Sequence, residues 1–410
     1  MQPSLEKLKE IIENGRKTKI EFNREQLLEE LTGTVHLLLE RTQWFRTIKI
    51  ENKEQELKRF KDARKKDRDF KPEFEFQEFP YSRETLLEIL EECRAGTDEI
   101  AGQHLESYGA EELTPEDLQE LFTGILDEIE LYIKLASNID NEENWRNYSE
   151  EIWPMVDQET AGSSKQELKQ IEKGKLRETL TPEQVKRMFE QEIARLGMNY
   201  GVETRKTAGC FNSPEEKTVV VAEGEKRERM YSKEEAEMVT VHELFHAVRA
   251  YNGFKAGEES GFSEILGLHT PFYDRAEEGG ALYREKATGT MYDNKEFDYH
   301  LRLIAAYKLS QSDDFKKEFS SIAEELIQLG GTEGRALNLL ARNREALRHH
   351  IYLSGYHDWK EIENKEKMLL GKVNKSWADR LWKEIEAEGM LREPEIGEEK
   401  LFDFTFKDSE

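Results

Sequence analysis

Only one stretch of this chain reads as β-structure. Between Tyr200 and Glu223, Gly201, Gly209 and Pro214 punctuate two short candidate strands, the second being Thr218-Val219-Val220-Val221-Ala222. Elsewhere apolar residues recur at three- and four-residue spacing, as in Leu86, Leu87, Ile89 and Leu90, and again in Leu118, Leu121, Phe122, Ile125 and Ile129. That is the period of a helix burying one face, so the chain is predicted to be mainly α (α+β), with a small β-element. Start signals agree. Thr114-Pro115 and Thr181-Pro182 each set a capping hydroxyl before a Pro at the first helical position, and Gln184 completes a capping box at the second. The segment holding Pro72 and Pro80 reads as an extended connection, because Pro cannot continue a helix. Trp377, Leu381 and Trp382 mark one face of the last strong helix.

These textures suggest a helical N-terminal region over 1–180, a second region over 181–392 carrying the β-element, and an irregular acidic tail over 393–410. The net charge of -26 argues against nucleic acid or an anionic membrane as partner, since phosphate binding is driven by Lys and Arg. The basic run Lys58, Arg59, Lys61, Arg64, Lys65, Lys66 and Arg68 is interleaved with Asp62 and Asp67 and reads as a solvated helix face. Cys93 and Cys210 are far apart, which indicates neither a disulfide framework nor a thiolate metal site. The N-terminus, Met1-Gln2-Pro3-Ser4-Leu5-Glu6-Lys7, has no signal-like apolar core, and no uncharged run reaches the roughly 18 residues of a membrane span. The expected location is therefore the cytoplasm.

The chemistry concentrates at Val241-His242-Glu243-Leu244-Phe245-His246. On a helix, residues four apart lie one above the other, so His242 and His246 can aim at one ion while Glu243 flanks a bound water. Ser232 and Glu235 form a candidate capping box at the start of that helix, and Gly253 marks its expected end. Two imidazoles leave a catalytic zinc one protein ligand short. Tyr273-Asp274-Arg275-Ala276-Glu277-Glu278-Gly279-Gly280-Ala281 supplies it: Asp274 is the candidate N-cap, Glu277 its capping-box partner, and Glu278 the third ligand, with Glu277 the alternate. Gly279 and Gly280 each cost about 1 kcal/mol against Ala inside a helix, which points to close approach to the metal-bearing helix.

Further landmarks follow in order: Tyr251-Asn252-Gly253 after the two His, Arg342 to Arg348 followed by Tyr352-Leu353-Ser354-Gly355, and Leu370-Gly371-Lys372-Val373, with Phe70-Lys71-Pro72-Glu73-Phe74 upstream. Together with Glu277-Glu278-Gly279-Gly280-Ala281 they resemble the tyrosine carboxypeptidase zincins, a family that includes microtubule-associated tyrosine carboxypeptidases and bacterial proteins with a Gln-Glu-Gly-Leu-Ala motif. The likeness runs from about residue 50 to 390 and is strongest over 235–375. This chain departs from the family in having two rather than three residues between its His, Gly280 in place of a Leu, and His349 in place of an Asp.

The resemblance implies that 181–392 is a zincin-like catalytic domain, that the cofactor is Zn2+, and that the substrate is the C-terminus of a peptide or protein, trimmed as by a carboxypeptidase. Glu243 would serve as general base. Tyr352, on a helix that the resemblance sets near the site, is either an oxyanion donor or a packing aromatic. Arg342 and Arg348 are candidates to pair a terminal carboxylate, and His349 or His350, adjacent on one helix, could assist as only one of the two. The strand Thr218 to Ala222 is expected to be the edge along which an extended peptide binds. Other zinc amide hydrolases, endo- or aminopeptidases among them, and a helical binding protein with a vestigial metal site remain the alternatives.

Overall fold

The computed structural model describes residues 50–77, 83–101, 111–225, 228–258 and 262–403. Met1 to Lys7, Pro80 and residues 404–410 lie outside them. The described chain is mainly helical. It opens with α1 (Lys53–Lys65), α2 (Arg83–Ala101), α3 (Pro115–Ser137), α4 (Glu142–Ile152) and α5 (Gln158–Leu168). Then come β1 (Glu178–Leu180), α6 (Pro182–Leu196), β2 (Gly201–Arg205), β3 (Phe211–Ser213), β4 (Thr218–Ala222) and β5 (Tyr231–Ser232). The remainder is α7 (Lys233–Ala256), α8 (Ser263–Leu268), α9 (Asp274–Ala287), α10 (Asp293–Ser310), α11 (Phe315–Gln328), α12 (Glu333–Glu345) and α13 (Ile351–Lys360). A 3-10 turn (Glu366–Leu370), α14 (Lys375–Glu386) and α15 (Glu398–Phe402) close it. Both Thr-Pro starts carry complete capping boxes, Thr114 with Asp117 and Thr181 with Gln184, each hydroxyl being worth about 1 kcal/mol.

The larger sheet has the order β2-β4-β3, with β4 parallel to β2 and antiparallel to β3. Thr218–Ala222 is thus the central strand, and the edge role expected for it fails: its backbone groups are taken up by neighbours on both sides. The physical signal is in the residues. Val219, Val220, Val221 and Ala222 are all buried, and an apolar run without alternation belongs to a strand covered on both faces. β2 and β3 hold the outer positions. β1 and β5 pair antiparallel as a second, two-stranded ladder too short to leave a sequence period.

Two large apolar cores underlie these elements, and neither stops at residue 180. One joins Leu86, Phe122 and Ile129 to Val185, Val219, Phe245 and Leu381; the other joins Phe60, Trp145 and Leu168 to Leu301, Phe319 and Leu340. α3 feeds both. In the basic run, Lys58, Lys65, Lys66 and Arg68 are exposed as expected, whereas Arg59 pairs with Glu56 and Glu73 and Arg64, partly buried, crosses to Glu324 and Glu333 on other helices. The acidic tail is not irregular through residue 403. Ile396 and Leu401 are buried, Asn252 bonds to both the N–H and the carbonyl of Ile396, and α15 forms there. Among the described residues no helix is long and apolar enough to cross a membrane.

α7 is the axis of the molecule. At 24 residues it is about 36 Å long, and every residue from Thr240 to Gly253 is buried, as in a helix surrounded on all sides. Ser232 caps it by accepting from the Glu235 N–H, but the Glu235 carboxylate pairs with Arg229 instead of closing a capping box. The helix does not end at Gly253. A Cβ there would lie 2.2 Å from the Leu266 carbonyl oxygen, and one on Gly371 2.5 Å from the same atom, so both glycines serve a backbone-to-backbone junction with α8.

Candidate metal centre

His242 and His246 lie one turn apart on α7, and α9 runs past them in the opposite direction, so that Glu285 meets His242, Glu277 meets His246, and Glu278 lies between the two. Each imidazole donates its Nδ1–H to a carboxylate: His242 to Glu285 Oε1 at 2.5 Å, His246 to Glu277 Oε1 at 2.9 Å. Because a carboxylate only accepts, each neutral imidazole keeps its proton on Nδ1 and presents its Nε2 lone pair. The two Nε2 atoms converge on Glu278 Oε2, at 3.5 Å from His242 and 3.8 Å from His246. That oxygen is buried and has no hydrogen-bond partner among the described residues. Four ligands about 2.0–2.1 Å from one zinc stand roughly 3.3 Å apart at the corners of a tetrahedron. The two His–Glu278 distances approach that spacing, all three atoms lie within 4.8 Å of one another, and His242, His246 and Glu278 are the group among the described residues able to hold a metal ion. Carboxylates behind both imidazoles are the usual outer shell of such a site.

Partners distinguish Glu277 from Glu278. Glu277 also accepts from Arg249 Nη1 at 2.5 Å and Lys372 Nζ at 3.0 Å, so with His246 three donors already engage its two oxygens. Burial opposes its charge, yet Lys372, Arg249 and His246 hold it well below the usual carboxylate range. It is not a capping-box partner either. α9 begins at Asp274, its capping residue is Tyr273 without a side-chain cap, and Asp274 instead accepts from Trp153 Nε1 at 3.3 Å. Lys372 and Arg249 therefore acquire a role that sequence reasoning missed, as does Glu285. Glu285 sits seven residues after Glu278, two turns along the same helix face, which is the signal that could have found it.

The paired glycines divide their work. A Cβ on Gly280 would lie 2.4 Å from Phe245 Cζ on α7, the approach expected from sequence. Gly279 instead faces α13, where a Cβ would lie 2.1 Å from the Gly355 carbonyl carbon, and a Cβ on Gly355 would lie 2.0 Å from the Arg275 carbonyl oxygen. This contact of backbones brings the N-terminal turn of α13 to the site. The Tyr352 ring lies 6.3 Å from the His242 ring, nearly parallel to it, and 5.1 Å from Tyr299. Burial and the charges of Glu278 and Glu243 push its hydroxyl pKa up, so it stays protonated and able to donate.

Glu243 is buried, and its carboxylate makes no hydrogen bond or ion pair among the described residues. Burial raises its pKa, against the pull of His242 and His246. For His242, burial is outweighed by Glu278 and Glu285, which push its pKa up to about 10 in the metal-free protein. Arg348 is not free to meet a substrate carboxylate. Its Nη2 lies 3.2 Å from Glu278 Oε1 and its Nη1 4.0 Å from Asp274, so it holds the carboxylate that the two Nε2 atoms face. Arg342 is exposed on α12, and His349 is partly buried with an Nδ1 that has no partner. His350 donates to the Pro154 carbonyl at 3.0 Å, away from the imidazoles.

No protein-family profile matches this sequence, no curated protein is significantly similar to it, and no solved structure matches its fold.

Proposed function

We propose that this chain is a zinc-dependent peptidase of the zincin kind, a carboxypeptidase related to the tyrosine carboxypeptidases. The observation that carries the proposal is the convergence of two Nε2 atoms on one buried carboxylate oxygen that makes no hydrogen bond among the described residues, with an unpaired Glu243 between the two His. Two imidazoles and a carboxylate form the protein half of a catalytic zinc site, which keeps one position open. A zinc ion held there supplies Lewis acidity and lowers the pKa of a bound water to about 7.

The residues of the chain do the rest. Glu243 takes the proton released in attack on the peptide carbonyl and returns it to the leaving amine, a task suited to a buried carboxylate with a raised pKa. Tyr352 donates its O–H to the oxygen on which negative charge develops. Arg348 keeps Glu278 oriented, and Glu277 and Glu285 keep both imidazoles in the required tautomer.

The test combines metal content with end-labelled peptides. One zinc per chain is expected, lost in His246→Ala and in Glu278→Gln and retained in Glu243→Gln, whose turnover falls by about 10²–10⁴-fold. Shortening from the C-terminal label alone supports a carboxypeptidase, and loss of the N-terminal label or internal cleavage reassigns it. Well-folded protein that binds no zinc when it is supplied sinks the proposal.

A further inference from the structure

Glu128 lies on α3, in the N-terminal helical region, and is buried. A carboxylate there needs donors, and three supply them. Its Oε1 accepts from the Tyr132 hydroxyl at 2.6 Å, and its Oε2 accepts from His269 Nε2 at 3.0 Å and from the Phe272 N–H at 2.7 Å. A carboxylate answers three such donors, whereas the NH2 of a Gln would bring further donors among them. Two of the three belong to the connection of residues 269–273, which leads from α8 into α9.

That connection has no local means of setting where α9 begins. Tyr273, the capping residue, provides no side-chain cap, and Phe272 before it has φ +52°, a left-handed conformation that a bulky residue rarely adopts. Such a conformation persists where the surroundings over-determine it. Thr270 and the Pro271 carbonyl bond to Lys372 and Asn374, but the N–H of the left-handed residue itself is held by α3. Gly124, one turn before Glu128 on the same face, admits the turn: a Cβ there would lie 2.8 Å from Pro271 Cγ. A second branch runs through side chains. The Tyr132 ring packs 6.0 Å from Trp153, whose Nε1 donates to Asp274, the first residue of α9, and Arg348 lies between Asp274 and Glu278. Glu278 stands one turn into α9, so any shift of that start moves its Oε2 against the two Nε2 atoms on α7.

We propose that Glu128 is a positioning residue of the candidate metal centre, which fixes the start of α9 and through it the ligand oxygen of Glu278. That Glu278 binds zinc rests on the metal reading above, whereas the hold of Glu128 on α9 does not. The N-terminal helices are then part of the frame of the centre.

The test compares Glu128→Gln with Glu384→Gln. Glu384 is likewise a buried carboxylate that accepts backbone N–H groups, those of Glu111, Glu112, Leu113 and Met390, all of them away from α9. Zinc affinity is read by competition against a chromophoric chelator, and amide hydrogen exchange of residues 272–280 by mass spectrometry on the metal-free protein. Glu128→Gln is expected to weaken zinc binding by about tenfold, the lower end of the loss for an outer-shell partner, and to speed exchange across 272–280 by about tenfold or more. Glu384→Gln lowers the unfolding midpoint but leaves both readouts within about twofold of the native chain. Glu128→Asp, which keeps the charge and draws it back by one methylene, shows the same pair of changes if Glu128→Gln does not fold. Unchanged zinc affinity or unchanged exchange in a folded Glu128 variant overturns the proposal, as do equal changes in Glu384→Gln. A native chain that binds no zinc loses the metal reading alone, and exchange across 272–280 then decides for or against Glu128.

Discussion

His246 and His242 turn the same nitrogen towards the same point, but the carboxylates behind them are anchored in opposite ways. Glu277, behind His246, is clamped by Arg249 and Lys372, and Arg249 in turn donates to the Met368 and Val373 carbonyls. Glu285, behind His242, touches that imidazole and the Tyr299 hydroxyl, while its Oε2 is buried with no hydrogen-bond partner. The first wall is a closed ionic network that exists with or without a metal. The second has a charge balanced chiefly by what His242 carries, and beyond it lie Tyr352, Arg302 and Lys295. The difference teaches that one side of the candidate centre is braced by its own ion pairs, while the other depends on the state of His242.

The strongest way to break this comparison is to neutralise each carboxylate in turn. Glu277→Gln leaves Arg249 and Lys372 buried beside a group that no longer answers them, and losing one partner of a buried ion pair costs about 3–5 kcal/mol. Glu285→Gln removes one of two carboxylates from the His242 imidazolium but leaves it Glu278, so the metal-free protein should lose less, about 1.5–3 kcal/mol. Urea unfolding of both metal-free variants measures this. Equal losses would mean that the two walls are energetically alike.

Acid should act on the second wall first. His350 caps α13, which carries Tyr352, and burial together with Arg275 lowers its pKa to about 4 although it donates to Pro154. A depressed folded pKa means that the unfolded chain binds the extra proton. Stability is then complete above the ordinary His value near 6.5 and is lost as pH falls from there towards 4. At 1.36 kcal/mol per unit the loss is at most about 3 kcal/mol. His350→Gln, which can still donate to Pro154, should flatten that limb of the stability profile. A limb of unchanged slope would assign the loss to other groups.

With metal present the order reverses in interest. Glu285→Gln should weaken zinc binding by about 10–100-fold, the usual cost of losing a carboxylate that orients a ligating His. Competition against a chromophoric chelator reads this directly. Unchanged affinity would show that His242 is held by its helix alone and that Glu285 serves some other need.

What could be read in advance follows the same division. His242, Glu243 and His246 were legible because one turn of helix places all three, with no tertiary information required. Glu278 was legible up to a neighbour, since only the Arg249 and Lys372 contacts, both long-range, disqualify Glu277. Glu285 was not, because one more Glu among 87 acidic residues carries no local mark. Glu128 was not either, since His269 and Phe272 meet it only when the connection into α9 packs on α3. The Thr114 cap and the Thr181 capping box were legible for the reason that Gly253 was misread: a cap is a contact between near residues, while a glycine inside α7 answers a carbonyl on another helix. The apolar run of β4 carried its own correction, since an edge strand facing water would have alternated.

The smallest expected effect tests the finest assignment on the second wall. Tyr352 has two parts that can be separated by removing one atom. Its ring packs between Tyr299 and His242, 5.1 Å from the first and 6.3 Å from the second, and that packing survives in Tyr352→Phe. Its hydroxyl has no hydrogen-bond partner among the described residues, so its loss strands nothing, and stability should change by less than about 0.5 kcal/mol. A hydroxyl that only fills space would leave turnover unchanged as well. One that donates to the developing oxyanion is used in the transition state and not before, so kcat should fall about tenfold, near 1.4 kcal/mol, with KM nearly constant. A rise in KM at constant kcat would move Tyr352 from the reacting oxygen to the bound substrate.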